Sequence, residues 1–316
     1  MKKIAILTAA SFMLAVIPVT SAFADDLIFA TGGDQGTYYG YGNVLAGLVS
    51  NATDTSVTAV TSVGSQANIE AIKYNDAQLA FVQSDVMAYA YDGTNLFEGA
   101  PVDGFSTVAN LYREQVQIVT CNPDIKSVED LAGKNVSVGA PGSGVYFNAM
   151  NILSAYGLSE SDITPTYESF GDSADSLQDG KIDAAFITAG APTTAVTSLS
   201  IFKDVYLVSL DDEHIDALID ECPFYGKNII PADIYDLKDD VTTVAVGAVV
   251  IARDDVPEDD IYNFVSTIFE NIDTLTDAHT KGAELDLEFA ASINSVPYHE
   301  GAAKYFEEKG LSVATK

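Results

Sequence analysis

The chain has 316 residues, of which 47% are hydrophobic and 19% charged, and 46 Asp and Glu side chains stand against 15 Lys and Arg. This apolar content excludes a disordered chain, and the length allows roughly two domains of ~150 residues each. The formal net charge of -31 excludes nucleic acid as a partner and disfavours anionic membrane surfaces, because binding to either depends on clustered Lys and Arg.

The first 24 residues have the pattern of an export signal. Lys2 and Lys3 precede an apolar run at residues 4–19, and Ala22 and Ala24 frame a cleavage site of the small-x-small type. The run is shorter than the ~20 apolar residues that a membrane span needs. We therefore expect residues 1–24 to be a cleaved signal peptide and the remaining protein to be periplasmic.

Strands and helices alternate along the rest of the chain, which predicts an α/β protein with a parallel or mixed sheet covered by helices. The predicted strands are residues 27–31, 56–63, 78–82, 134–139, 164–168, 182–187 and 241–251. The predicted helices are residues 37–50, 64–74, 145–156, 172–178, 257–271 and 299–309. The order of elements restarts after Pro123, which predicts two similar lobes.

The long apolar strand at residues 241–251 returns the chain to the first lobe, so two segments cross between the lobes. We expect these crossings near residues 114–120 and 241–246, where they would form a hinge. The predicted lobes are residues 25–115 with 245–316, and residues 116–244. The cleft between two such lobes is the expected ligand site, which gives the fold class of a two-lobed, hinged binding protein.

Two glycine loops, TGGDQGTYY at residues 31–39 and GAPGSG at residues 139–144, connect a strand to a helix at matching places in the two lobes. Glycines let the backbone approach a ligand closely, and the free N–H groups at a helix start favour an anion. Such a loop taken alone fits an ordinary helix cap as well. Neither loop has the spacing of a dinucleotide or nucleotide-phosphate site.

Further candidates follow other strand ends, where open α/β sheets bind ligands. Asp85 is a candidate acceptor for a ligand amine or else a helix cap. Arg113 is either a carboxylate clamp or one half of a structural ion pair, and the tyrosines, Tyr225 among them, either offer hydroxyls or pack. The predicted ligand-binding residues are Gly36, Thr37, Tyr38, Tyr39, Ser65, Asn68, Gln83, Ser84, Asp85, Arg113, Gly142, Ser143, Gly144, Tyr146, Thr188, Ala189 and Gly190.

No enzyme signature appears in the sequence: neither G-x-S-x-G nor HExxH is present. Cys121 and Cys222 are too far apart for a CxxC redox site, and the three histidines lack zinc-ligand spacing. Whether the two cysteines form a disulfide stays open at this point. We expect no catalytic residues, no metal and no cofactor.

Five segments in order resemble one family, the TAXI solute receptors of tripartite ATP-independent periplasmic (TRAP) transporters. They are ATGGDQGTYY at residues 30–39, GSQAN at 64–68, FVQSD at 81–85, LAGK at 131–134 with GAPGSG, and PYHEGA at 297–302. The resemblance implies a periplasmic binding protein of the second type that delivers a small carboxylate, such as glutamate or glutamine, to a membrane permease.

The resemblance has two departures that bear on the ligand. The family's first loop usually carries Thr-Gly where this chain has Asp34 and Gln35, and the family commonly has Thr where this chain has Val145. Two alternatives to a TRAP receptor share the same architecture. They are the binding protein of an ATP-driven importer and the periplasmic partner of a sensor.

Overall fold

The computed structural model describes residues 26–316, so the predicted export signal lies outside the described residues. The alternation of strands and helices is confirmed. The strands are β1 Leu27–Ala30, β2 Val57–Val60, β3 Leu79–Gln83, β4 Phe105–Thr120, β5 Asn135–Ser137, β6 Thr164–Thr166, β7 Ala184–Ala189, β8 Tyr206–Leu207, β9 Gly226–Ile230 and β10 Val241–Arg253. The α-helices are α1 Thr37–Ala52, α2 Ser65–Tyr74, α3 Ser84–Asp92, α4 Val145–Ala155, α5 Phe170–Asp179, α6 Thr194–Ser200, α7 Asp212–Glu221, α8 Glu258–Glu270, α9 Ile272–Ala278, α10 Leu287–Ala290 and α11 Glu300–Glu308.

The ten strands of the described residues belong to one mixed sheet, whose main path runs β2-β1-β3-β10-β4-β7-β5-β6. The strands β1, β2 and β3 are parallel to one another, and so are β5, β6 and β7. β4 and β10 run antiparallel to their neighbours. Two parallel groups therefore flank a central antiparallel pair.

That central pair, β4 and β10, connects the two halves of the sheet. β4 pairs with β10 up to Gln115 and with β7 from the same residue onward. β10 pairs with β9 up to Ala245 and with β3 from Ala248. The exchange of partners supports the proposed division of the described chain into lobe 1, residues 26–115 with 245–316, and lobe 2, residues 116–244.

Each half of the sheet is covered on both faces, because successive residues of a strand point to opposite sides. In β3, Phe81 packs into one core of lobe 1 and Val82 into the other. In β7, Phe186 and Ile187 divide in the same way between the two cores of lobe 2. Burial on both faces explains why these strands are continuous apolar runs in the sequence.

Cys121 and Cys222 are half-buried and are not joined in a disulfide. Within residues 26–316, the helices are all too short or too polar to cross a membrane.

Candidate functional site

One cavity lies between the loops that follow β1, β2 and β3 in lobe 1 and those that follow β5 and β7 in lobe 2. It is small, with about 40 Å³ of space that the centre of a water molecule can reach. The predicted residues that line it are Gly36, Thr37, Tyr38, Ser65, Gln83, Ser143, Gly144, Thr188 and Ala189. They converge because the carboxyl ends of parallel strands gather at one edge of a sheet.

The two lobes touch each other around this cavity through their glycine loops. The backbone N–H of Ala67 donates to the carbonyl of Gly142 at 2.9 Å, and Thr37 Oγ1 donates to the carbonyl of Gly190 at 2.8 Å. Gly64 has a φ of 136°, and a side-chain carbon at this position would lie 3.3 Å from Ser143 Cα. Glycine is therefore required at Gly64, both by the backbone conformation and by the approach of the other lobe.

Three long helices begin at the cavity without a side-chain cap. Their N-cap residues are Gly36 for α1, Gly64 for α2 and Gly144 for α4, and all three glycines line the cavity. Each helix start presents free N–H groups and the positive end of the helix dipole. Their convergence makes the cavity receptive to an anion although neither Lys nor Arg is among its described lining residues.

Three polar side-chain oxygens that line the cavity are buried and have no hydrogen-bond partner among residues 26–316. They are Ser143 Oγ, Thr188 Oγ1 and Gln83 Oε1. An unpartnered buried polar group costs ~1–3 kcal/mol, so these three oxygens are available to hydrogen-bond a bound molecule or water. Ser65 differs from them because its Oγ already accepts from the backbone N–H of Gln83 at 3.0 Å.

Glu114 also lines the cavity, and sequence reasoning missed it as a site residue. Its Oε2 accepts a hydrogen bond from the hydroxyl of Tyr38 at 2.6 Å. Burial is the main cause that raises the pKa of Glu114 well above its ordinary value. Adjacent strand residues face opposite sides, so only one of Arg113 and Glu114 can point into the cleft, and the local sequence does not select between them.

A second buried polar network joins the lobes beside the cavity. Gln83 Nε2 donates to Asn148 Oδ1 at 3.0 Å, and Asn148 Nδ2 donates to Asp85 Oδ2 at 3.0 Å and to the hydroxyl of Tyr225 at 2.8 Å. Burial raises the pKa of Asp85 to about 7, against the lowering effect of the backbone N–H groups of Val86 and Asp85 itself and of the Asn148 amide. Asp85 therefore belongs to the contact between the lobes and is not one of the residues that line the cavity.

Arg113 does not line this cavity, and its guanidinium forms no ion pair among residues 26–316. Its guanidinium lies 4.3 Å from the centre of the Phe289 ring, in a groove on the hinge that is separate from the cavity. The alternation of β4 causes this, because Glu114 faces the cavity and Arg113 must face away from it.

The other predicted residues do not line the cavity. Asn68 Nδ2 donates to the carbonyls of Thr31 and Phe81, and so ties the ends of β1 and β3 together. Ser84 Oγ accepts from the backbone N–H of Gly247 at the hinge. The remaining residues in this group are Tyr39, which is half-buried, Tyr146, which donates to Glu160, and Gly142 and Gly190, whose carbonyls accept the bonds between the lobes.

The two departures from the TAXI pattern have different outcomes. Asp34 is exposed and does not line the cavity, so its carboxylate does not oppose an anion there. Val145 lines the cavity and, together with Val63 and Phe170, gives it apolar walls. The site therefore combines an apolar surround with a few polar groups at fixed positions, as small-molecule sites do.

Comparison with known proteins identifies a family and a shared fold. The sequence model of the NMT1-like family matches residues 29–310. MatC from Rhodopseudomonas palustris with bound malate is similar, with a TM-score of 0.57, 15% identity and coverage of 83% of this chain and 90% of that chain. The alkanesulfonate-binding protein SsuA from Xanthomonas axonopodis pv. citri bound to MOPS gives a TM-score of 0.51, 16% identity and 90% coverage of both chains.

An ancestral arginine-binding protein bound to arginine is a third similar structure, with a TM-score of 0.52, 14% identity and coverage of 82% of this chain and 98% of that chain. The predicted α/β fold with a mixed sheet, in the two-lobed arrangement of periplasmic binding proteins, is confirmed by these likenesses. At such low identity they establish the fold and not the ligand.

Proposed function

The chain belongs to the NMT1-like family, and on this premise we propose that it is an extracytoplasmic solute receptor of a TRAP-type secondary transporter. It captures a small carboxylate, such as glutamate, glutamine or a related organic acid, in the cavity between the lobes. One observation carries the proposal: hydroxyls without partners, Ser143 Oγ and Thr188 Oγ1, share a cavity with three uncapped helix starts.

The chemistry of the cavity favours binding over catalysis. Its described lining residues contain one carboxyl group, that of Glu114, and neither histidine nor cysteine. Hydrolysis or group transfer needs a nucleophile with an adjacent base, paired carboxylates or a metal. The unpartnered hydroxyls, by contrast, are suited to hold a carboxylate through hydrogen bonds.

Closure of the two lobes couples capture to delivery in this proposal. Solute docks on one lobe, the matching loop of the other lobe completes its shell, and the closed form presents a surface that the permease recognises. The contacts of Gly142 and Gly190 with the opposite lobe belong to that closed form. Solute shifts the equilibrium only as far as it binds the closed form better than the open one.

The transporter class has its own test. The TRAP assignment rests on the five motifs shared with TAXI receptors, and it predicts uptake that an ion gradient drives without ATP when the receptor is reconstituted with its permease. Uptake that requires ATP hydrolysis would assign the protein to an ATP-driven importer. Solute binding that changes a kinase and not uptake would assign it to a sensor.

The loop hydroxyls supply the first prediction. We expect Ser143→Ala and Thr188→Ala each to weaken solute binding about tenfold, because a hydrogen bond to a charged group contributes about 1.5 kcal/mol or more. The solute is first identified by a thermal-shift screen of amino acids, dicarboxylates, 2-oxo acids and sugars, where ligand at 100 times its Kd adds about 2.7 kcal/mol.

Ser154 gives the matched control for this prediction. It is exposed and lies on α4, the helix that follows Ser143. Ser154→Ala should leave affinity unchanged in titration calorimetry. Unchanged affinity in both Ser143→Ala and Thr188→Ala would remove these loops from the site.

A further inference from the structure

Glu114 is the one carboxyl group among the described residues that line the cavity, in a site otherwise suited to an anion. It is 2% exposed, and Tyr38 binds one of its two oxygens. A buried carboxyl that only helped Tyr38 to pack would be an expensive choice, because a neutral amide could accept the same hydrogen bond without the cost of burying a charge.

The cation that acts on Glu114 does not neutralise it by direct contact. Lys281 attracts it electrostatically, but Lys281 Nζ donates to the carbonyl of Ala191 at 2.8 Å and pairs with Glu284. Asp85, a second buried acid, adds repulsion, and Tyr38 and Tyr112 are the other titratable groups close to Glu114. An ionised Glu114 therefore needs a positive partner from outside this group of side chains.

We propose that this partner is the protonated amine of the solute, so that Glu114 makes the site select α-amino acids over organic acids with the same carbon skeleton. The inference rests on the proposed receptor function and narrows it. The carboxylate of the solute is held by the helix starts and by Ser143 and Thr188, while its ammonium group lies against Glu114. A dicarboxylate in the same cavity would offer Glu114 no positive group, so Glu114 would stay protonated and the ion pair would not form.

The same arrangement fixes the proton balance of binding. Before solute binds, burial keeps Glu114 in its neutral, protonated form over a wider pH range than an exposed glutamate. When an ammonium group arrives, Glu114 ionises, its proton passes to the buffer, and the ammonium and carboxylate form an ion pair. Binding of an amino acid therefore releases about one proton at a pH where the free protein holds it.

The test uses pairs of solutes that differ in the amine: glutamate against 2-oxoglutarate, and alanine against lactate. Of glutamate and alanine, we take the one that the wild-type protein binds more tightly. We expect its affinity to exceed that of the matching organic acid by about 100-fold, which is the size of effect that a buried charge pair gives. Glu114→Gln should remove this preference by weakening the amino acid and not the organic acid. Asp34→Asn is the control. It neutralises an exposed carboxylate in the glycine loop at residues 31–39 and should keep the preference for the amino acid.

Proton release separates this role from a structural one. Titration of the wild-type protein in two buffers of different ionisation enthalpy, at mildly acidic pH, should give about one proton released per amino acid bound, and Glu114→Gln should give none. Organic acids that bind the wild-type protein as tightly as amino acids, without proton release, would overturn this inference and leave the receptor function standing. An absence of binding by every acid of both kinds would overturn the receptor function as well.

Discussion

Replacing Gly144 with alanine is expected to weaken solute binding about 100-fold or more while the ligand-free protein stays folded. Gly144 has φ and ψ of -82° and -13°, a conformation that alanine adopts without strain. Its added Cβ would overlap Oε1 and Cδ of Gln83, which belongs to the other lobe. The clash therefore arises only when the lobes meet.

Gln83 cannot avoid this clash without loss. It is 2% exposed, and its Nε2 donates to Asn148 Oδ1 at 3.0 Å. Moving the side chain would break that buried hydrogen bond at a cost of ~1–3 kcal/mol, and overpacking adds a similar amount. About 3 kcal/mol against closure corresponds to about 100-fold in affinity.

The measurement is calorimetric affinity together with the radius of gyration by small-angle X-ray scattering. Solute should compact the wild-type protein and leave Gly144→Ala extended, while the free energy of unfolding without solute changes by less than about 1 kcal/mol. The double variant Gly144→Ala with Gln83→Ala restores the space but loses the hydrogen bond between Gln83 and Asn148, so it should recover compaction in part. Full affinity in Gly144→Ala would show that the lobes do not close on this contact.

The part of the site formed by the glycine loops was predictable, because its signals are local. Gly36, Ser65, Ser143 and their neighbours follow short apolar strands directly, and a strand, a glycine turn and a helix start are visible in a window of about 15 residues. Because the carboxyl ends of parallel strands share an edge, the sequence also predicts that these loops meet.

The part formed by β4 was not predictable in the same way. Arg113 and Glu114 lie together in a polar stretch that interrupts an apolar strand, and only the pairing of β4 with β10 on one side and β7 on the other decides which of them faces the cleft. Such pairing joins residues more than about 60 positions apart, so no local pattern records it. Lys281 was missed for the same reason, since its contact with Ala191 spans 90 positions.

Helix α3 shows a different limit of sequence reasoning. Its residues from Ser84 to Ala90 are all buried, so it lacks the polar face that gives a surface helix its period of 3.6 residues. The sequence therefore predicts a strand end with Asp85 as a ligand acceptor or a helix cap, but no helix over residues 84–92. Burial of the whole helix is also what places Asp85 in an apolar environment.

The difference in free energy of unfolding between Asp85→Asn and wild type is expected to grow in favour of the variant from acidic to alkaline pH. Burial raises the pKa of Asp85 from its ordinary value of 3.8 to about 7. Between these two values the folded protein holds a proton that the unfolded chain has lost, so the free energy of unfolding falls as pH rises through the window. The loss is at most about 4 kcal/mol, since one pKa unit corresponds to about 1.4 kcal/mol.

Asparagine cannot ionise, so the variant escapes this loss. The quantity to measure is the difference in free energy of unfolding between Asp85→Asn and wild type, by urea denaturation from about pH 3 to about pH 8, a range that includes both pKa values. Groups that titrate alike in both proteins cancel in that difference, while any constant effect of the amide shifts it equally at every pH. Asp92→Asn is the matched control, because Asp92 is exposed at the other end of α3 and changes the net charge by the same amount.

The expected result is a difference that grows by several kcal/mol with pH for Asp85→Asn and stays flat for Asp92→Asn. A flat difference for both would mean that Asp85 is solvated in solution, and hence that its contacts with Asn148 of the other lobe open readily. Because those contacts exist only while the lobes are together, repeating the titration with saturating solute should steepen the dependence if the free protein is partly open. The pH dependence of a single carboxyl group thus reports the closure on which the proposed solute capture depends.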